Sequence, residues 1–134
     1  NIGAVRLCLD NGASIEEVIE IDNSTPVHIA CAQGSTEILK LMYEKQTEIF
    51  LEVIHAQDTM HMTPLHKAAM FDHVDIVEFL LDKGAYIDAL DKEKRSPLLL
   101  AASRNCINCV CYFLSKGASI KIKDSKSRNL LHLL

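Results

Sequence analysis

Thr63-Pro64-Leu65-His66-Lys67-Ala68-Ala69 returns 33 residues later as Ser96-Pro97-Leu98-Leu99-Leu100-Ala101-Ala102. Gly84-Ala85 returns as Gly117-Ala118, and Asp91 as Asp124, at the same spacing. Upstream, Thr25-Pro26-Val27-His28-Ile29-Ala30-Cys31 is a further copy, 38 residues before Thr63, so about five residues are inserted between the two. Asn129-Leu130-Leu131-His132 opens another copy 33 residues after Ser96. At the other end, Val5 to Ala13 matches Val77 to Ala85. A fixed period of this length specifies stacked units, each too small to bury its apolar face alone.

The physics of one unit is readable from its residues. Thr25, Thr63 and Ser96 supply N-cap oxygens for a helix amide. Pro26, Pro64 and Pro97 follow at the first helical position, where a missing N–H costs nothing. Ala68-Ala69 and Ala101-Ala102 allow close packing of this first helix. A second helix carries an apolar stripe at helical spacing: Ile38, Leu39, Leu41, Met42; then Ile76, Val77, Phe79, Leu80; then Cys109, Val110, Tyr112, Phe113. Gly12, Gly84 and Gly117 supply the left-handed residue that ends it. A polar segment such as Asp88 to Lys94 then forms a protruding finger.

This is the ankyrin pattern, and it covers nearly the whole chain. The expected fold is an all-α ankyrin-repeat solenoid of helix-turn-helix units with short hairpin-like finger loops. The expected units are a partial repeat over 1–19, a repeat with an insertion over 20–57, repeats over 58–90 and 91–123, and the start of another over 124–134. Gln46-Thr47 replaces Gly-Ala at the middle junction. The helix there is expected to run on, or Glu44 to His55 to form an elongated helix-turn segment, and this junction is expected to be the weak point. Polar end caps are missing from the pattern, so the sequence reads as a fragment of a longer array. Leu130, Leu131, Leu133 and Leu134 would then form an apolar end prone to association.

The 134 residues are 49% hydrophobic and 24% charged, an ordinary globular composition far from disorder. No apolar run approaches the length of a membrane span, and no leader pattern opens the sequence. The net charge is −4 but is unevenly placed. Residues 1–91 carry 5 basic and 16 acidic side chains; residues 92–134 carry 9 and 2. Such a split suggests electrostatic matching along or between arrays, an acidic partner at the C-terminal end, or only an uneven solvated surface. The cations Lys92, Lys94, Arg95, Arg104, Lys121, Lys123, Lys126 and Arg128 suit an inositol polyphosphate or an acidic protein. Nucleic acid and membrane contact are not expected.

Five cysteines without a leader point to free thiols in a reducing compartment. Cys106-x2-Cys109-x-Cys111 resembles a metal cluster, but register places the three on different helix faces, so no metal or cofactor is expected. Cys8, Cys31 and Cys109 are expected in the core. Cys106 and Cys111 are the candidate reactive surface thiols, with Arg104 and a helix N-terminus near Cys106. His28, His66 and His132 hold the fourth motif position, where an imidazole bonds the turn between neighbouring units. Leu99 interrupts that series. No catalytic triad, carboxylate pair or phosphate loop is present, so the chain is not expected to be an enzyme.

The remaining surface is a groove lined by fingers and first helices. By register its finger residues are Thr59, Met60, His61, Met62, Lys92, Glu93 and Arg95. Its helix-end residues are Met70, Phe71, Ser103 and Arg104. Met60, Met62, Met70 and Phe71 either form an adaptable apolar contact surface or pack under adjacent fingers.

Three strings are more particular than the repeat: Asn23 to Gly34, Lys67 to His73, and Asp91 to Ser103. With Cys8-Leu9-Asp10-Asn11-Gly12-Ala13 they resemble the cytoplasmic N-terminal array of ankyrin-type transient receptor potential channels, invertebrate members above all. The resemblance implies a segment of a homotetrameric, calcium-permeable, non-selective cation channel of the plasma membrane, responsive to electrophiles or temperature. Its partners would be other repeats of the same chain and neighbouring subunits. Electrophile sensing in that family rests on cysteines nearer the membrane, so none of the five here is assigned that role. The rival reading is a stand-alone adaptor that binds a protein in its groove.

Overall fold

The computed structural model describes residues 2–15, 18 and 21–134. Among these the regular structure is entirely helical, with α1 Ile2–Asp10, α2 Pro26–Gln33, α3 Thr36–Lys45, α4 Thr47–Val53 and α5 Pro64–Met70. The series continues with α6 Val74–Asp82, α7 Pro97–Ser103, α8 Ile107–Ser115 and α9 Leu130–Leu133. The repeat boundary expected at residues 19–20 falls outside the described residues.

The helices stack in two rows. In the first, α2 packs on α5, α5 on α7 and α7 on α9; in the second, α1 packs on α3 and α6 on α8. Each first helix also packs on the second helix that follows it. The first helices start where the caps require. Thr25, Thr63 and Ser96 accept the amides of His28, His66 and Leu99, and a proline follows each. Ala68, Ala69 and Ala101 are sealed from solvent, so methyl-sized side chains set the spacing of the first row. Leu39, Ile76, Val77, Leu80, Cys109 and Phe113 form one continuous core with Val27, Leu65 and Leu98.

The units over 58–90 and 91–123 each use three left-handed residues, and glycine fills only some of these positions. Gly12, Gly84 and Gly117 end the second helices at φ +93°, +98° and +83°. The turn between the two helices uses Gly34, Asp72 and Asn105; the finger tips use Asn23, His61, Lys94 and Ser127, all near +60° when not glycine. Asn and Asp adopt this region with least strain. At Gly34 there is a second constraint, because a Cβ would lie 2.6 Å from the His73 ring.

The glycine-free junction takes the second of the two forms expected. Gln46 (φ −138°, ψ 60°) ends α3 and starts α4. It is well bonded and packed. Its side-chain amide donates to the Ala13 carbonyl and accepts the Ile15 amide at 3.1 Å. The inserted helix buries Phe50, Val53 and Ile54. Phe50 meets Tyr43 and Phe79 edge-to-face at 5.4 and 6.0 Å, and Lys83 caps the Tyr43 ring at 4.3 Å. Filled core and two side-chain bonds replace the missing left-handed stop.

Candidate interaction surface

The fingers are hairpin tips without strands. In each, an aspartate N–H reaches the carbonyl four residues on: Asp58 to Met62, Asp91 to Arg95 and Asp124 to Arg128. The same aspartate folds its carboxylate back over the tip. Asp58 accepts the amides of Met60 and Met62, Asp91 those of Glu93 and Arg95, and Asp124 those of Lys126 and Arg128. The second carboxylate oxygen pairs with Lys67, Arg95 and Arg128 respectively, at 3.3, 2.9 and 2.9 Å. At Asp124, burial raises the pKa, but the Arg128 and Lys126 amides outweigh it and hold the carboxyl below its ordinary value.

Adjacent fingers are joined by single backbone rungs. Thr59 N–H donates to Asp22 O, Lys92 N–H to Met60 O, and Ser125 N–H to Glu93 O, at 2.8–2.9 Å. Buried imidazoles add a second link. The His28 ring accepts the Thr25 amide on Nδ1, so the proton sits on Nε2, which reaches the Met62 carbonyl at 2.8 Å. His66 repeats this with Thr63 and the Arg95 carbonyl at 2.9 Å. Burial lowers both imidazole pKa values, partly opposed by the carbonyls they face. Leu99, fully buried, takes the third position without a polar link. His132 caps α9 through Asn129.

A further cross-unit contact was not anticipated from the sequence. Cys106 occupies the N-cap of α8 without capping it, and Asp72 of the preceding unit does so instead, accepting from the Cys109 amide at 3.0 Å and from Asn108 Nδ2 at 3.1 Å. The only sequence signal was a polar residue at a turn position that is Gly34 one unit earlier.

Two expectations for the site residues need correction. Met62 is 5% exposed and packs beneath its finger, so its side chain does not line a groove. Cys106 is 7% exposed, and its Sγ–H points to the Met70 carbonyl at 3.3 Å. Its register mate His73 makes the same bond to the Ala32 carbonyl at 3.1 Å. Burial, then Asp72, raises the Cys106 pKa, the opposite of an activated thiol. Cys111 is exposed as expected, and Cys8 is exposed rather than in the core. Cys31 and Cys109 are buried, with pKa values raised by desolvation.

Thr59, Met60, His61, Lys92, Ser103 and Arg104 are exposed. Phe71 is 49% exposed beside His73, and Met70 is half-buried. Glu93 and Arg95 are half-buried, and Arg95 is held by Asp91 and Glu93. A cleft of about 700 Å³ opens elsewhere, across the N-terminal ends of α3, α6 and α8, beside His73, Asp75, Asn108, Cys111 and Tyr112. None of the groove residues lines it. Among the described residues no group of three or more His, Cys, Asp or Glu side chains is placed to hold a metal, and no helix is long and apolar enough to cross a membrane.

A family model described as ankyrin repeats (3 copies) matches residues 1–91 and 48–124. The chain belongs to the ankyrin-repeat family. The ankyrin stack is 53% identical, over 95 residues and 71% of this chain, to the transient receptor potential cation channel subfamily A member 1 of Drosophila melanogaster. It is 43% identical over 91 residues, 68% of this chain, to the Homo sapiens protein of the same name. Similarity to alpha-latrocrustotoxin-Lt1a of Latrodectus tredecimguttatus is 32% over 92 residues, 69% of this chain. The chain spans only 6–8% of the length of these relatives.

Proposed function

We propose that this ankyrin stack is a cytoplasmic regulatory segment of a plasma-membrane, calcium-permeable, non-selective cation channel. The observation that supports this best is the similarity to the two subfamily A channels, which exceeds that to the toxin although the three matches have similar lengths. In this reading the units are 20–57, 58–90 and 91–123, flanked by partial ones, and four copies assemble around one pore. The segment binds and transmits rather than catalyses. Its interfaces are nearest-neighbour contacts, each a backbone rung plus an imidazole or apolar link, so strain entering at one unit passes to the next. Temperature or a chemical stimulus would act by loosening such interfaces.

The test is a chimera. The matched segment of the Drosophila channel is replaced by this chain, and currents are recorded with and without His66→Leu. Functional chimeras whose activation midpoint moves with the interface substitution support the reading. Chimeras that traffic and conduct but gate independently of it overturn it.

The exposed Phe71 and Met60 favour a second reading, in which the groove takes a protein partner through Thr59, Met60, His61, Met70, Phe71, Lys92, Glu93, Ser103 and Arg104. Pull-down by the folded chain, lost on joint Met70→Ala and Phe71→Ala substitution, is the expected outcome.

A further inference from the structure

The charge imbalance of the sequence becomes two surfaces of opposite sign in the fold. Lys92, Lys94, Lys121, Lys123 and Lys126 are all exposed on the last two fingers or the segment between them, and none makes an ion pair among the described residues. The rung from Ser125 to Glu93 holds the two hairpins side by side, so the positive charge forms an edge. The arginines of the same fingers do not add to it, because Arg95 and Arg128 are bonded to Asp91 and Asp124. Their guanidinium forks are the groups suited to bidentate phosphate recognition. What stays available on the two fingers is a row of single ammonium charges, which suits an extended acidic surface better than a compact phosphate.

The same chain carries such a surface. Glu44, Glu48 and Glu52 project from α3 and α4, and Asp75, Glu78 and Asp82 from α6; all six are exposed and none is ion-paired among the described residues. Glu48 with Glu52, and Glu78 with Asp82, are like charges four apart on one helix and repel each other. Asp75, Glu78 and Asp82 line a groove of about 400 Å³ together with Lys40. The negative field there is felt by Tyr112, whose hydroxyl pKa is raised by burial and then by Glu78 and Asp82.

We propose that the basic finger edge docks on the acidic second-helix face of a second copy of this chain. The two patches differ, so the contact is heterologous and each copy keeps one of each patch free for a further neighbour; such contacts close rings or extend into filaments. The inference stands on charge and exposure and does not depend on the channel reading.

Sedimentation velocity of the full 134-residue chain tests it. Association that weakens about tenfold or more between about 50 mM and about 500 mM salt is expected, as screening shortens the reach of these charges. The folded variants Lys92→Glu/Lys94→Glu/Lys126→Glu and Glu48→Lys/Glu52→Lys/Glu78→Lys are each expected to stay monomeric, and their mixture to associate again. Zero-length carboxyl–amine cross-linking of the unmodified chain should join Lys92, Lys94 or Lys126 of one copy to Glu48, Glu52 or Glu78 of another, a readout independent of the variants. A chain that is monomeric at low salt, or variants that do not recombine, would overturn the proposal. So would salt-independent association, which would place the contact on apolar residues such as Leu131 and Leu134. Polyphosphate binding abolished by the lysine substitutions, with no self-association, would also overturn it and assign the edge to a small polyanion.

Discussion

The Asp72 carboxylate caps a helix in the next unit: its Oδ1 accepts the Cys109 amide at 3.0 Å, while its own backbone sits left-handed at φ +60°. One residue therefore turns the chain within its unit and satisfies α8 in the following one. Asp72→Asn keeps both roles and should leave stability within about 0.5 kcal/mol. Asp72→Ala loses the cap and strains the turn, at a cost of about 2 kcal/mol. Urea unfolding followed by circular dichroism separates the two.

The inserted junction is clamped and packed where its missing glycine suggests a loose turn. Deleting the insert and restoring glycine at Gln46 should lower the melting temperature, because the Ala13 and Ile15 bonds and the Phe50 packing are lost together. Phe50→Ala alone should cost about 3–5 kcal/mol. Thermal unfolding of the two variants beside the parent chain measures both; a rise in melting temperature on deletion would refute this account of the junction.

Acid should loosen the stack. Burial depresses the folded-state pKa values of His28 and His66 below the ordinary 6.5. The unfolded chain then binds more protons near that pH, so stability rises with pH there. The contribution is complete above about pH 6.5 and is lost as pH falls through the lower folded-state values. Protonation would also place a second N–H on Nδ1, against the Thr25 or Thr63 amide. Melting temperatures measured from pH 8 to pH 5 should fall, and more steeply for the parent than for His28→Leu/His66→Leu.

Thiol labelling should divide the cysteines by burial. Cys8 and Cys111 should alkylate quickly in the folded chain, whereas Cys31, Cys106 and Cys109 wait for unfolding. Peptide mass spectrometry after a short iodoacetamide pulse reads the order. Early labelling of Cys106 would show that its bond to the Met70 carbonyl opens readily.

How much of this was legible depends on how local the signal is. The caps, the N1 prolines, the terminal glycines and the histidine links are written within one unit or one period, and the 33-residue step exposed them. The finger tips were less readable, because His61, Lys94 and Ser127 adopt a left-handed backbone that their side chains do not advertise. The Asp72 cap and the Gln46 clamp join residues more than 30 positions apart, at places where the register breaks its own rule. The burial of Cys106 is hidden for a related reason. Its position at a helix start suggested exposure, but the preceding unit's carbonyl draws the side chain inward, as it does for His73.

Leu99 gives the rod a built-in polarity. Two successive junctions are bolted by a titratable ring and the next is only greased, so a drop in pH weakens the first two more than the last. A stack of near-identical slices thereby acquires a soft end and a stiff end, and acid would fray it from one direction.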